Sequence, residues 1–283
     1  PTYSVDIVEH GCLLAVGIID DCIFARCRIT KRSRNRVWLI VLILAIACFV
    51  ASGAYIIVTM RSDNTDKLRS QAYVSSDSAS GNTAAYVEPP IDFVKLKKIN
   101  PDIYAWINIP GTVIDYPILR RADDNAYYLT HTVENKKSAY GAIYTEDYND
   151  MDFADFNTVI YGHNMKNGSM FGSLKKYRNR TFFDENREIN VYMPGRIMKY
   201  RIFAAHIVDD RHILLSYDFT NESVRNEYIS DIFSNKSMNS CFDSQTEITA
   251  DDRIITLSTC TGKTEERYLV QGVLIYDSRK QTS

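Results

Sequence analysis

The stretch Ile254-Ile255-Thr256-Leu257-Ser258-Thr259-Cys260 decides the reading of this chain. Its β-branched and apolar residues predict a strand. The strand ends on a cysteine set among Ser258, Thr259, Thr261 and Gly262, neighbours that place the thiol at the mouth of a site rather than in deep apolar surroundings. Arg267 follows seven residues later and opens the run Tyr268-Leu269-Val270. About a hundred residues upstream stands Ile160-Tyr161-Gly162-His163-Asn164. A glycine before a histidine at a strand end frees the backbone and lets the imidazole project into a cleft. A cysteine, a histidine and an arginine so placed outline a thiol nucleophile site. The thiolate attacks, the imidazole handles protons and the guanidinium stabilises developing negative charge. Singly, each has a plainer reading: a small buried thiol, a hydrogen-bonded structural histidine, a solvated arginine paired with Glu265 or Glu266. His131, His206 and His212 lack a comparable local setting.

Around this stretch the chain reads as many short strands and few helices. The runs Ile103 to Ile109, Val113 to Leu119, Ala139 to Tyr144, Thr158 to Tyr161, Ile189 to Met193, Met198 to Val208, Arg253 to Ser258 and Tyr268 to Tyr276 are β-prone, with Gly, Pro or Asp clusters among them. Pro194-Gly195 makes a turn between two of them. Helical spacing appears at Ile91 to Ile99, Ser169 to Tyr177 and Asn221 to Ser234, the last with Val224, Tyr228 and Ile232 on one face. Such a pattern predicts a mainly β fold, a small closed barrel with added helices.

The 283 residues carry a net charge of −2 and are 45% apolar, which allows one domain of ordinary size with extra segments. Neither the charge nor any basic stripe argues for nucleic acid. Val37 to Val58 is an uncharged apolar run, and its 22 residues would span roughly 33 Å as a helix, enough to cross a bilayer core. Arg26, Arg28, Lys31, Arg32, Arg34 and Arg36 crowd its N-terminal side. That asymmetry predicts an uncleaved signal anchor with the N-terminus inside and the C-terminal part outside. The expected organisation is a cytoplasmic segment 1–36, a transmembrane helix 37–58, a polar flexible spacer 59–88 and a folded extracellular domain 89–283. Residues 1–30, which carry Cys12, Cys22 and Cys27, are assigned no function. Only Cys241 and Cys260 are expected on the extracellular side, and both are expected as free thiols. No metal or cofactor is expected: the chain has no H-E-x-x-H, no paired C-x-x-C and no EF-hand loop.

The order His163, Cys260, Arg267, the wording T-L-S-T-C at 256–260 and the preceding apolar span resemble the sortase family, cysteine transpeptidases of Gram-positive cell surfaces. Ile160 to Met165, then Met170 to Tyr177, and the helix placed before the catalytic strand resemble its class B. The resemblance covers about Ile91 to Tyr276. It implies an eight-stranded β-barrel in which Cys260 attacks the Thr carbonyl of a C-terminal sorting motif in a secreted protein. An amine of a peptidoglycan precursor or a pilin then resolves the acyl-enzyme. It also implies that Ser258, Tyr161, Asn125 and Leu129 line the sorting-motif groove. One departure is Gly262, where some class B members carry an acid.

Two other readings stand beside this one. An L,D-transpeptidase would place a Gly before the Cys and an Arg two residues after it, where this chain has Thr259 and Gly262. An inactive wall-binding or adhesion module would need none of the Cys, His and Arg that are all present.

Overall fold

The computed structural model describes residues 38–52, 69, 72–73, 88–235 and 237–281. The chain falls into two units, Pro1–Asn64 and Thr65–Ser283. In the first, residues 38–52 are helical with exposed apolar side chains such as Trp38, Leu42 and Phe49. Residue 37, residues 53–58 and the segment 1–36 lie outside the described residues. Among the described residues no helix is long and apolar enough to cross a membrane.

In the second unit, α1 (Phe93–Ile99) begins where the Asp92 carboxylate accepts from the Lys95 N–H at 3.0 Å. That cap starts the helix two residues later than its apolar spacing predicts, and the helix buries Phe93 and Leu96. Among the described residues nine strands follow: β1 (Ile103–Asn108), β2 (Asp115–Leu119), β3 (Ile143–Tyr144), β4 (Asn157–Tyr161), β5 (Glu188–Met193), β6 (Arg196–Asp209), β7 (Cys241–Phe242), β8 (Ile254–Cys260) and β9 (Glu266–Asp277). Their order is β5-β1-β2-β3-β4-β8-β9-β6, and β5 pairs back onto β6. Eight strands therefore close a barrel, and β7 is a short addition along β6. The pairs β2–β3 and β4–β8 are parallel; the others are antiparallel.

Helical elements cover the barrel. The segment expected as a helix at 169–177 is a 3-10 helix, Gly172–Arg178, which leads into α2 (Arg180–Glu185). The four-residue α3 (Ile213–Ser216) and α4 (Glu222–Ser234) fill the connection from β6 to β7. Asn221 caps α4, which buries Tyr228 and Ile232. Within the expected spacer, Ala72 is fully buried and the Tyr73 hydroxyl donates to Asp115 at 2.8 Å, so these two residues pack on the barrel.

Side-chain alternation splits the barrel strands between two cores. Ile160, Ile255, Leu257 and Val270 face the barrel interior with Ile107 and Ile202. Val159, Ile254, Leu269 and Val273 face outward and pack beneath α4 against Tyr228 and Ile232. A polar network runs across the same outer face. Thr256 Oγ1 donates to Asn157 at 2.7 Å, and Gln271 Nε2 donates to the Tyr228 hydroxyl at 2.9 Å. Asn157 Nδ2 also donates to Tyr228, at 3.1 Å, so one phenol ties α4 to β4 and β9. His206 Nε2 meets Gln271 Oε1 at 2.9 Å; since the amide nitrogen of Gln271 is already donating, His206 supplies this proton. Burial holds the His206 pKa below its ordinary value.

Candidate active site

Register builds the site. In the parallel pair β4–β8, Tyr161 stands opposite Ser258. Two residues beyond that pair come His163, just past the end of β4, and Cys260, the last residue of β8, and both line one cleft. In the antiparallel pair β8–β9, Cys260 stands opposite Arg267. Cys260, Arg267 and the His163 that lies about a hundred residues upstream thus fall in one row across neighbouring segments, where adjacent strands lie about 4.8 Å apart. A cleft of about 230 Å³ holds all three, together with Leu129, Tyr161 and Ser258. Its other walls include Tyr144, Glu146, Ile213 and Leu269. Asn125 does not line it: the Asn125 side chain bonds instead with Asp147, accepting from its N–H at 2.9 Å.

The two cysteines of the barrel unit are both free, and burial divides them. Cys260 is exposed, whereas Cys241 is 5% exposed and burial pushes its thiol pKa up. A thiol kept protonated in a core is a poor nucleophile.

His163 is held from two sides. Its Nε2 lies 2.7 Å from the Leu129 carbonyl. A carbonyl can only accept, so Nε2 carries the proton and Nδ1 is left for proton exchange. Behind the ring passes Gly141 at φ +58, where an added Cβ would sit 3.0 Å from His163 Cδ2. Gly162, the residue before His163, is packed as closely: a Cβ there would meet Ile143 Cδ1 at 2.5 Å and Phe171 at 2.8 Å. Glycine at 162 is therefore required by packing.

Arg267 donates through one terminal nitrogen to the carbonyls of Thr264 and Glu266, at 2.9 and 3.0 Å. The Glu266 carboxylate is engaged elsewhere, by Lys263 at 2.8 Å and by Thr261 at 3.2 Å. The guanidinium is thus braced by backbone and lines the cleft.

One part of the cleft escaped the sequence reading. His212 Nε2 contacts the Glu146 carboxylate at 2.6 Å, and both line the cleft. Tyr144 and Tyr161 stack nearby with centroids 5.5 Å apart. Burial, and secondarily the Glu146 charge, pushes both phenols well above their ordinary pKa, so they act as neutral hydroxyls. Nothing in the local sequence around His212 marks it; only the β6–α3 connection brings it to Glu146.

A Sortase domain model matches residues 107–275. Sortase B of Listeria monocytogenes is 34% identical over 208 residues, 72% of this chain and 82% of that protein. The solved structure of Clostridium perfringens sortase B aligns with a TM-score of 0.59 at 31% identity, covering 65% of this chain and all of that one. A Streptococcus pyogenes class B sortase involved in pilus biogenesis aligns with a TM-score of 0.57 at 31% identity, covering 65% of this chain and 98% of that one. The chain belongs to the sortase family, whose members are cysteine transpeptidases. Within the family it is most like the class B sortases.

Proposed function

We propose that this protein is a membrane-anchored transpeptidase with Cys260 as nucleophile, His163 as acid and base, and Arg267 as oxyanion donor. The row His163–Cys260–Arg267 at one cleft is the observation that carries this reading. The Cys260 proton passes to His163 Nδ1 as sulfur attacks the Thr carbonyl of a sorting motif. Charge develops on the carbonyl oxygen and is met by the Arg267 guanidinium, which stays charged throughout. His163 then gives that proton to the leaving amine, the peptide bond breaks and a thioester remains. An incoming amine loses a proton to Nδ1 as it attacks. Expulsion of the thiolate forms the new amide, and the proton returns to sulfur.

The substrates on this reading are secreted proteins with a C-terminal sorting signal, and the acceptor is an amine of a wall precursor or a pilin. Tyr161, Ser258 and Leu129 wall the groove for the motif. The apolar run 37–58, with basic residues before it, anchors the enzyme with the catalytic domain outside. A cleavage screen against Thr-containing peptides, read by mass spectrometry, tests the activity. Cleavage on the C-terminal side of Thr, absent in Cys260→Ala, is expected; cleavage unchanged in that variant overturns the assignment. Protease added to intact protoplasts should remove the chain beyond 62 and spare its N-terminal segment.

A further inference from the structure

The backbone ladder between β4 and β8 stops at Tyr161 and Ser258, with a last bond from the Gly162 N–H to the Ser258 carbonyl at 3.2 Å. His163 and Cys260 lie just past this end, where the β4–β8 pairing no longer fixes one segment against the other. Two side chains continue the ladder. Thr259 Oγ1 donates to the Gly162 carbonyl at 2.7 Å, and Asn164 Nδ2 donates to the Cys260 carbonyl at 2.7 Å. The residue after the histidine therefore grips the main chain of the cysteine.

Asn164 is not needed to hold its own loop. That loop closes on itself through the Phe171 N–H and the His163 carbonyl at 3.0 Å. It is fastened to the barrel by the Met170 N–H, which donates to the Tyr116 hydroxyl at 3.1 Å, and by the fully buried Phe171 ring. The partner that the Asn164 amide restrains is the exposed end of β8. Fixing the Cys260 carbonyl holds the plane of the 260–261 peptide and, with it, the Cys260 Cα from which the side chain projects beside His163.

We infer that Asn164 is a positioning residue that sets the spacing of the Cys260–His163 pair through its carboxamide bond to the Cys260 carbonyl. The inference rests on the reading of that pair as the reacting groups. Its effect falls on turnover and not on substrate binding, because Asn164 is not among the residues that line the cleft.

The test uses the full chain and the Thr-containing peptide that the library screen finds to be cleaved best. Asn164→Ala and Asn164→Asp, the latter of the same shape but without the donor, should lower kcat by about ten- to a hundredfold, the scale of an ångström's misplacement. KM and the thermal midpoint should stay at wild-type values. Asn164→Gln, which keeps an amide donor on a longer arm, should recover most of the turnover. Three results overturn the inference: kcat within about twofold of wild type in Ala and Asp, below the effect of one lost hydrogen bond; a thermal midpoint that falls together with kcat; or a Gln variant as poor as Ala. Cys260→Ala runs in parallel. Turnover in that variant would defeat the reading of the pair itself, whereas silent Asn164 variants beside an inert Cys260→Ala would defeat the positioning role alone.

Discussion

Replacing Gly141 by Ala attacks the support of His163 without altering any of the three proposed catalytic groups. Gly141 has φ +58, and an L-residue in that left-handed region costs roughly 1–2 kcal/mol. The added Cβ would lie 2.4 Å from the Tyr128 carbonyl oxygen, 2.9 Å from that of Leu129 and 3.0 Å from His163 Cδ2. Ordinary contact begins at 3.4 Å, so the Leu129 carbonyl must retreat by about half an ångström and that of Tyr128 by about twice as much. The Leu129 carbonyl is the acceptor that orients His163, at 2.7 Å. A retreat of that size takes the bond to the limit of normal N–H···O geometry, about 3.2 Å. Losing it costs about 0.5–1.5 kcal/mol, and the displaced imidazole adds a geometric penalty that can reach about a hundredfold in rate. Gly141→Ala should therefore lower kcat on the order of ten- to a hundredfold, beyond its cost in stability. Gly168→Ala is the control: its φ is +85, but an added Cβ meets nothing within 4 Å. Both variants should lose thermal stability, and only Gly141→Ala should lose most of its turnover on the best-cleaved peptide. Equal kcat in the two variants would refute the claim that the Leu129 carbonyl orients His163.

Three further outcomes are expected. The Asp277 carboxylate, buried with Arg196 at 2.7 Å and bonded also by Arg253 at 2.8 Å, is held far below the usual carboxylate range, first by its hydrogen bonds to Arg196. A depressed folded pKa gives stability that is present above the unfolded value near 4 and is lost as pH falls toward the folded one, so Asp277→Asn should cost about 3–5 kcal/mol at neutral pH and flatten the acid limb of stability in urea melts at stepped pH. Tyr228→Phe leaves the buried Asn157 and Gln271 amides short of an acceptor and should cost about 1–3 kcal/mol by chemical denaturation, with a normal KM. Arg267→Lys cannot reproduce a planar guanidinium braced by two carbonyls, and steady-state kinetics should show kcat reduced by roughly a hundredfold or more.

The strands of this barrel were legible where they are long and β-branched, as in β6, β8 and β9, because burial on both faces there gives near-continuous apolar and β-branched runs. β3 was overextended at 139–144: Gly141 at positive φ ends any regular strand before Ile143, and only two residues pair. The two-residue β7 and the four-residue α3 carry too few side chains for a period to show. Cys260, His163 and Arg267 could be picked out because their residue types stand beside strand ends and glycine. The row they form could not, because it depends on a parallel pairing between segments almost a hundred residues apart. The Leu129 carbonyl, the Asn164 grip on Cys260 and the Glu146–His212 contact were equally hidden, since a backbone acceptor or a tertiary contact leaves no mark on local sequence.

The most direct test of the account is to trap its intermediate. The full chain, incubated with the best-cleaved Thr-containing peptide and quenched in acid, should gain the mass of the peptide up to and including Thr. That mass should map to Cys260 by digestion and leave on treatment with hydroxylamine. The same experiment with Cys260→Ala should show no adduct. Cleavage of the peptide with no hydroxylamine-sensitive mass on Cys260, or an adduct on another residue, would contradict the thioester chemistry assigned to this cleft.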